Sequence, residues 1–198
     1  MRATHRFTSS DLDAFPDNDG KRYEIIDGEL YVSKQPHLYH QFVCTELVSR
    51  LQQWSYQHKQ GRAAIAPGVI FADDDDVAPD IVWMSTGRMA TILAPDGKLH
   101  AAPELIVEVL SPGAANEKRD REVKLNLYFR RGVDESWIVD WRGRRIEVFR
   151  RKNAQLELAA TLAETDTLAS PLLAGFSCPV AELFADIPRD TPGTGGRK

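Results

Sequence analysis

The sequence predicts an α/β sandwich, with helices covering a mixed central β-sheet and a β-hairpin near the N-terminus. Three observations carry this expectation: two strand-like runs around Asp27-Gly28, helical periodicity over 38–59 and 114–131, and short apolar or alternating runs between and after them. A chain of 198 residues is long enough for one domain with a substantial core. We expect that single domain over 1–187. A disordered tail is expected over 188–198, where RDTPGTGGRK has little to bury.

Each element can be argued in order. TSSDLDAF at 8–15 suggests a short helix capped by Ser9 or Ser10. RYEIIDGELYVS reads as a hairpin, because Asp-Gly suits a type I′ turn that needs positive φ at both central residues. Two-residue pairing sets Ile25 opposite Leu30 and Tyr23 opposite Val32 on an apolar face. Glu24 then falls opposite Tyr31 on the second face, where an acid is exposed unless the sheet turns that face inward. Over 38–59, Tyr39, Phe42, Val43, Leu47, Leu51 and Trp54 recur at helical spacings. Residues 68–71 and 78–84 read as strands. The acidic run between them, 73–76, lacks the alternating ligands of a calcium loop and reads as a solvated hairpin tip.

PELIVEVLSP (103–112) has the composition of a buried strand over 104–110, yet Glu108 interrupts it. Burying an unpaired carboxylate costs several kcal/mol, so Glu108 needs a counter-charge, a proton or a metal. A helix from about 114 to 131 follows, ended by Gly132. Residues 136–140 and 145–150 alternate like an antiparallel pair, and the segment after Asn153 adds one or two short strands and a turn at VAELF.

The hydrophobic fraction of 42% and the charged fraction of 27% are ordinary for a globular protein. Nothing approaches the roughly 20 apolar residues of a membrane span, and the N-terminus lacks a secretory h-region. Two cysteines, Cys44 and Cys178, are too few for a disulfide framework or a zinc site, so we expect a reduced, cytoplasmic setting without disulfide-linked partners. The net charge of -4 argues against nonspecific coating of nucleic acid. Its distribution is uneven: residues 118–152 hold 12 Lys/Arg and 6 Asp/Glu, the remainder 13 and 23. That segment is either a footprint for a polyanion or a solvated face that happens to be basic.

Several residues could carry chemistry. Asp80 opens the strand APDIVWM, and Glu108 lies on the strand that follows. If the two strands pair, both carboxylates reach one point, and oxygen donors suit a hard cation such as Mg²⁺. From spacing alone, the favoured alternative has Asp80 capping a turn and Glu108 paired with an arginine or facing solvent. Asp120 and Lys124, four apart on the helix, would form a modest salt bridge of ~0.2–0.5 kcal/mol. Otherwise Lys124 points toward Glu108, where its ammonium orients a water or stabilises phosphate charge. His40 is a general base, a phosphate contact or an ordinary helix residue. Cys44 has no visible His or Asp partner and reads as a small buried hydrophobe. There is no G-x-S-x-G, P-loop, G-x-G-x-x-G or H-E-x-x-H motif.

In order, RYEIIDGELYV, PHLYHQF, APDIVWM, PELIVEVLSPG and Asp120-x-x-x-Lys124-x-x-x-Tyr128 with RRGVDESWIVD resemble the Uma family, a largely uncharacterised bacterial branch of the PD-(D/E)xK nuclease superfamily. The resemblance runs from about Thr8 to Phe184. It implies a restriction-endonuclease-like core, with Asp80 and Glu108 as metal-binding acids and Glu24 as an additional acid. The superfamily's lysine, expected two residues after the glutamate, is absent, since Leu110 stands there; the matching residue in this branch is Lys124. His40 and Asp120 match further positions shared by the branch.

The resulting expectation is a Mg²⁺- or Mn²⁺-dependent endonuclease hydrolysing DNA phosphodiester bonds. Asp80, Glu108 and the Val109 backbone carbonyl would hold the metal, and Glu24 would reach it directly or through water. Lys124 would align the nucleophile, the basic segment would grip the DNA backbone, and a homodimer follows only by analogy with enzymes that cut both strands. The rival is a catalytically silent binding or assembly module that keeps the nuclease fold. The complete set of Glu24, Asp80, Glu108 and Lys124 speaks for catalysis.

Overall fold

The structure, a computed structural model, describes residues 5–16, 19–153 and 155–189. A 3₁₀ turn (Ser9–Ala14) is capped by Thr8, not by Ser9 or Ser10, because Asp11 three residues on completes a capping box with Thr8. The hairpin forms in the expected register: β1 (Lys21–Ile26) and β2 (Glu29–Lys34) pair Ile25 with Leu30, Tyr23 with Val32 and Glu24 with Tyr31. Asp27 and Gly28 take φ of 53° and 74°, as a type I′ turn demands. Helix α1 (Leu38–His58) ends at Lys59 in the left-handed conformation and buries Val43, Leu47, Leu51 and Trp54.

Next come β3 (Arg62–Ile65), β4 (Val69–Ala72), β5 (Asp75–Val77), β6 (Ile81–Met84), α2 (Thr86–Ile92) and β7 (Leu105–Val109). Over 114–131 the chain is helical throughout. It is α-helical in α3 (Ala114–Lys118) and α4 (Leu125–Arg131), with a π-helical turn (Arg119–Lys124) between them. Strands β8 (Glu135–Asp140), β9 (Arg145–Lys152) and β10 (Gln155–Ala163) follow, then the short pair β11 (Thr167–Leu168) and β12 (Cys178–Pro179), and α5 (Val180–Leu183).

Six strands form a mixed sheet in the order β10-β9-β8-β7-β6-β3, in which β7 and β8 are parallel and the other neighbours antiparallel. A second sheet has the order β2-β1-β5-β4. Strand β7 is buried on both faces, which is why it reads as an apolar run broken only by Glu108. Leu105, Val107 and Val109 join a core with Val43, Leu47 and Leu51 of α1. Ile106 joins the opposite core, with Leu127 and Tyr128 of α4 and with Ile26 and Val77 of the smaller sheet. Glu108 has the parity of Ile106, so it points toward the 114–131 segment and away from α1.

The acidic run is not a solvated tip. Only residues 73 and 74 turn; Asp75 and Asp76 are buried in β5, beside β1 and β4. Asp75 accepts from Arg131 Nε at 2.9 Å and from the Asp27 N–H at 2.8 Å, and Asp76 meets Lys98 at 3.2 Å. These acids are tolerated inside because each has a counter-charge. Strand β3 and helix α2 add to the expected elements, and β10 runs nine residues where only short strands were expected after Asn153. The tail expected to be disordered lies, from position 190 onward, outside the described residues. Among the described residues no helix is long and apolar enough to cross a membrane, and Cys44 and Cys178 are both free and buried.

Candidate active site

The site begins with strand parity. Strands β6 and β7 are antiparallel neighbours with Ile81 opposite Val107, so Asp80, one residue before β6, lies beside the end of β7 that carries Glu108 and Val109. The Val109 N–H donates to Asp80 Oδ2 at 2.9 Å and fixes this approach. His40, on the first turn of α1, meets the same oxygen through Nε2 at 3.1 Å, and Arg22 donates to Oδ1 at 3.1 Å. The other ring nitrogen, Nδ1, lies 3.5 Å from the Cys44 sulfur. Burial works against the Asp80 carboxylate. The His40 hydrogen bond, with Lys124 and Arg22 near by, outweighs it and holds the carboxyl below its ordinary value.

Glu108 is placed differently. Its Oε1 lies 3.2 Å from Lys124 Nζ and accepts from the Tyr128 hydroxyl. Lys124 also meets Glu24 Oε1, at 2.8 Å, and that oxygen accepts from the Ala78 N–H at 3.0 Å. Glu24 therefore lies on an inward-turned face, 1% exposed, because the second face of the hairpin packs against the 114–131 helical segment. One ammonium faces two buried carboxylates. Although burial opposes ionisation of Glu24, Lys124 outweighs it and lowers that pKa. Burial pushes Glu108 up to about 8 against the pull of Lys124, with Asp80, Asp120 and Glu24 adding to the rise. Burial likewise raises Asp120, in spite of Lys124 and Arg119. Lys124 itself is held above its ordinary value, since Glu108, Glu24 and Asp120 outweigh the effect of burial.

Asp80, Glu108, Val109, Asp120, Lys124 and His40 all line one cleft of about 540 Å³. Its wall is completed by Arg22, Arg119 and Asn116, by Ser111 and Pro112, and by the segment from Val32 to His37, which comprises the end of β2 and its connection to α1. The cleft thus gathers Asp80, Glu108, Lys124, His40 and Asp120, and Glu24 lies behind it in contact with Lys124. The i,i+4 bridge between Asp120 and Lys124 does not form: Asp120 takes Arg119 at 3.1 Å instead. The π-helical turn is the reason, because it offsets the spacing that stacks residues four apart.

Cys44 has partners after all: it belongs with His40 and Asp80 to a set whose ligand atoms lie within 4.8 Å of one another. The i,i+4 step from His40 to Cys44 was the available signal. The set does not suit a metal, because the His40 ring lies between the other two with both nitrogens engaged. Burial also pushes the Cys44 thiol up, so it keeps its proton. A hard divalent cation in the cleft is a better fit. With all four carboxylates (Glu24, Asp80, Glu108, Asp120) ionised, the cluster would exceed its three fixed cations (Arg22, Arg119, Lys124) by one negative charge, which the Glu108 proton offsets and a bound cation would replace. Three of those acids, Asp80, Glu108 and Asp120, line the cleft together with Val109.

Arg22 and Tyr128 escaped attention as site residues. Arg22 shares the face of Glu24 by two-residue alternation, and Tyr128 lies four residues beyond Lys124 on the same helical segment. The basic segment 118–152 is laced with ion pairs. Each of its twelve Lys and Arg side chains is ion-paired with a carboxylate, as in Arg121 with Glu147, Arg142 with Glu117 and Arg150 with Glu135. Its positive charge is thus offset locally by neighbouring acids.

A family model described as "Putative restriction endonuclease" (Uma2) matches residues 9–181. Among solved structures, a "putative nuclease belonging to DUF820" from Anabaena variabilis superposes with a TM-score of 0.73 at 19% identity, covering 90% of this chain and 98% of that one. That likeness bears on the fold. The type IIG restriction endonuclease BpuSI aligns with a TM-score of 0.41 at 16% identity, over 74% of this chain and 15% of that one, too loosely to add to it. No curated protein matches.

Proposed function

Because this chain belongs to the Uma2 family of "putative restriction endonucleases", we propose that it is a Mg²⁺- or Mn²⁺-dependent endonuclease that hydrolyses DNA phosphodiester bonds. One observation carries the proposal: Asp80 and Glu108, from neighbouring strands, open onto one cleft with the Lys124 ammonium between Glu108 and Glu24. Asp80, Glu108 and the Val109 carbonyl would hold the cation. When bound, the cation neutralises phosphate charge and lowers the pKa of a water. His40 and the Val109 N–H keep the Asp80 carboxylate fixed and ionised. Arg22, Arg119 and Lys34 neutralise the phosphates of the strand in the cleft. Lys124 donates to the attacking water and so orients it. Glu24, already committed to Lys124 and the Ala78 N–H, serves as the counter-ion that positions Lys124, in preference to acting as a ligand.

The deciding experiment is cleavage of plasmid and single-stranded DNA with Mg²⁺ or Mn²⁺, beside chelator controls and the variants Asp80→Ala and Glu108→Ala. Metal-dependent cutting lost in both variants is expected. Equal activity in the variants would place the chemistry elsewhere. No cutting by any form would favour a silent binding module.

A further inference from the structure

We propose that the strand taken into this cleft is single-stranded DNA, read by its bases on the exposed ring of His37, and that an intact duplex is excluded. The inference rests on the endonuclease assignment above and concerns only its substrate class. Three observations lead to it.

The first is access. Asp80 is 6% exposed, Glu108 2% and Lys124 1%, so a phosphodiester reaches them only by entering the cleft. The cleft measures about 540 Å³. It falls within the ~300–1,000 Å³ of pockets that take small molecules. A flexible strand fits such a space a nucleotide or two at a time.

The second is the distribution of charge. Affinity for a duplex comes largely from many phosphate contacts along an open basic track. All twelve basic side chains of 118–152, where such a track would lie, are engaged with acids. Of the four cations that line the cleft, Arg22, Arg119 and Lys124 face its own acids, and Lys34 has no carboxylate partner among the described residues.

The third is an aromatic platform in the wall. His37 is exposed, lines the cleft and stacks on Trp141, with ring centroids 5.2 Å apart and planes 23° apart. Its orientation is fixed twice over, since Nδ1 also accepts the Tyr39 N–H at 3.1 Å as the cap of α1. The backing Trp141 is 3% exposed and anchored by its indole N–H on the Leu110 carbonyl at 3.0 Å. A held, solvent-facing ring beside a line of cations is the arrangement that binds unpaired bases by stacking; a base-paired helix keeps those faces covered.

The test uses fluorescence anisotropy in chelator, with Glu108→Gln to prevent cutting, on a labelled oligonucleotide and on the same strand in duplex form. Tighter binding of the single strand by tenfold or more is expected. His37→Ala should weaken it about tenfold, whereas His37→Phe, which loses the same cap but keeps a ring, should bind within about twofold of the parent. Equal or tighter duplex binding, or equal loss in the Ala and Phe variants, overturns the proposal. Cleavage by the wild-type protein with Mg²⁺ separates the two claims. Cutting of duplex as fast as single strand refutes this substrate class and leaves the nuclease assignment standing. Tight, His37-dependent binding of single strand without cutting of either form refutes the nuclease assignment and leaves the binding inference standing.

Discussion

Lys124 and Glu24 form an ion pair of 2.8 Å in which each side chain is only 1% exposed. Taking away one member of such a pair leaves a bare charge inside the protein, at a cost of ~3–5 kcal/mol. Lys124→Met should therefore lower stability toward urea by that amount, and the double variant Glu24→Gln/Lys124→Met should recover at least half of the loss. A single variant within ~1 kcal/mol of the parent would show that the pair is not buried as described.

A cation that binds the folded state alone raises the melting temperature by mass action. At a hundredfold excess over Kd the gain is ~2.7 kcal/mol, or about 5–10 °C for a chain of this length. We expect Mg²⁺ or Mn²⁺ to produce such a rise in the wild type, and Asp80→Ala or Glu108→Ala to abolish it. Differential scanning fluorimetry across a metal titration would measure both. An undiminished rise in the variants would move the cation to another site.

The Glu108 carboxyl, pushed up to about 8 mainly by burial, keeps its proton in the metal-free fold well above the ordinary value of 4.5. A raised acid makes its full contribution to stability below the unfolded pKa and loses it as pH climbs through the folded one. Metal-free protein should become less stable between about pH 4.5 and pH 8, and Glu108→Gln should flatten that part of the profile. Urea melts of both proteins in chelator across this window give the comparison. Parallel profiles would mean that Glu108 is ionised throughout.

Arg131 and Arg130 are neighbours with opposite consequences. Arg131 serves Asp75, which is fully buried, so Arg131→Ala should cost ~3–5 kcal/mol. Arg130 pairs with Asp27 at the surface, both about half exposed, and Arg130→Ala should cost less than ~1 kcal/mol. Thermal melts of the two variants should differ clearly; equal losses would contradict the burial of Asp75.

Much of this arrangement was legible in the sequence because local rules dominate there. Asp-Gly set the hairpin register, Gly132 ended the helix, and an acid inside PELIVEVLSP announced a partner before any partner was visible. What stayed hidden depends on long-range packing. Asp75 and Asp76 read as solvated because their cations, Arg131 and Lys98, are 56 and 22 residues away. Glu24 read as exposed because only the docking of the 114–131 segment turns its face inward. The Asp120–Lys124 bridge failed because sequence spacing assumes a regular α-helix, and periodicity alone does not reveal a π-helical turn.

That wider turn has a cost for any variant with a shorter chain. Ahead of it Asn116 fronts the cleft, and behind it Leu127 and Tyr128 fill the core. Excising one residue within Arg119–Lys124 would restore a regular coil but swing one half of the rod about its long axis relative to the other. The segment could then keep its grip on the interior or its hold on the cleft, but not both.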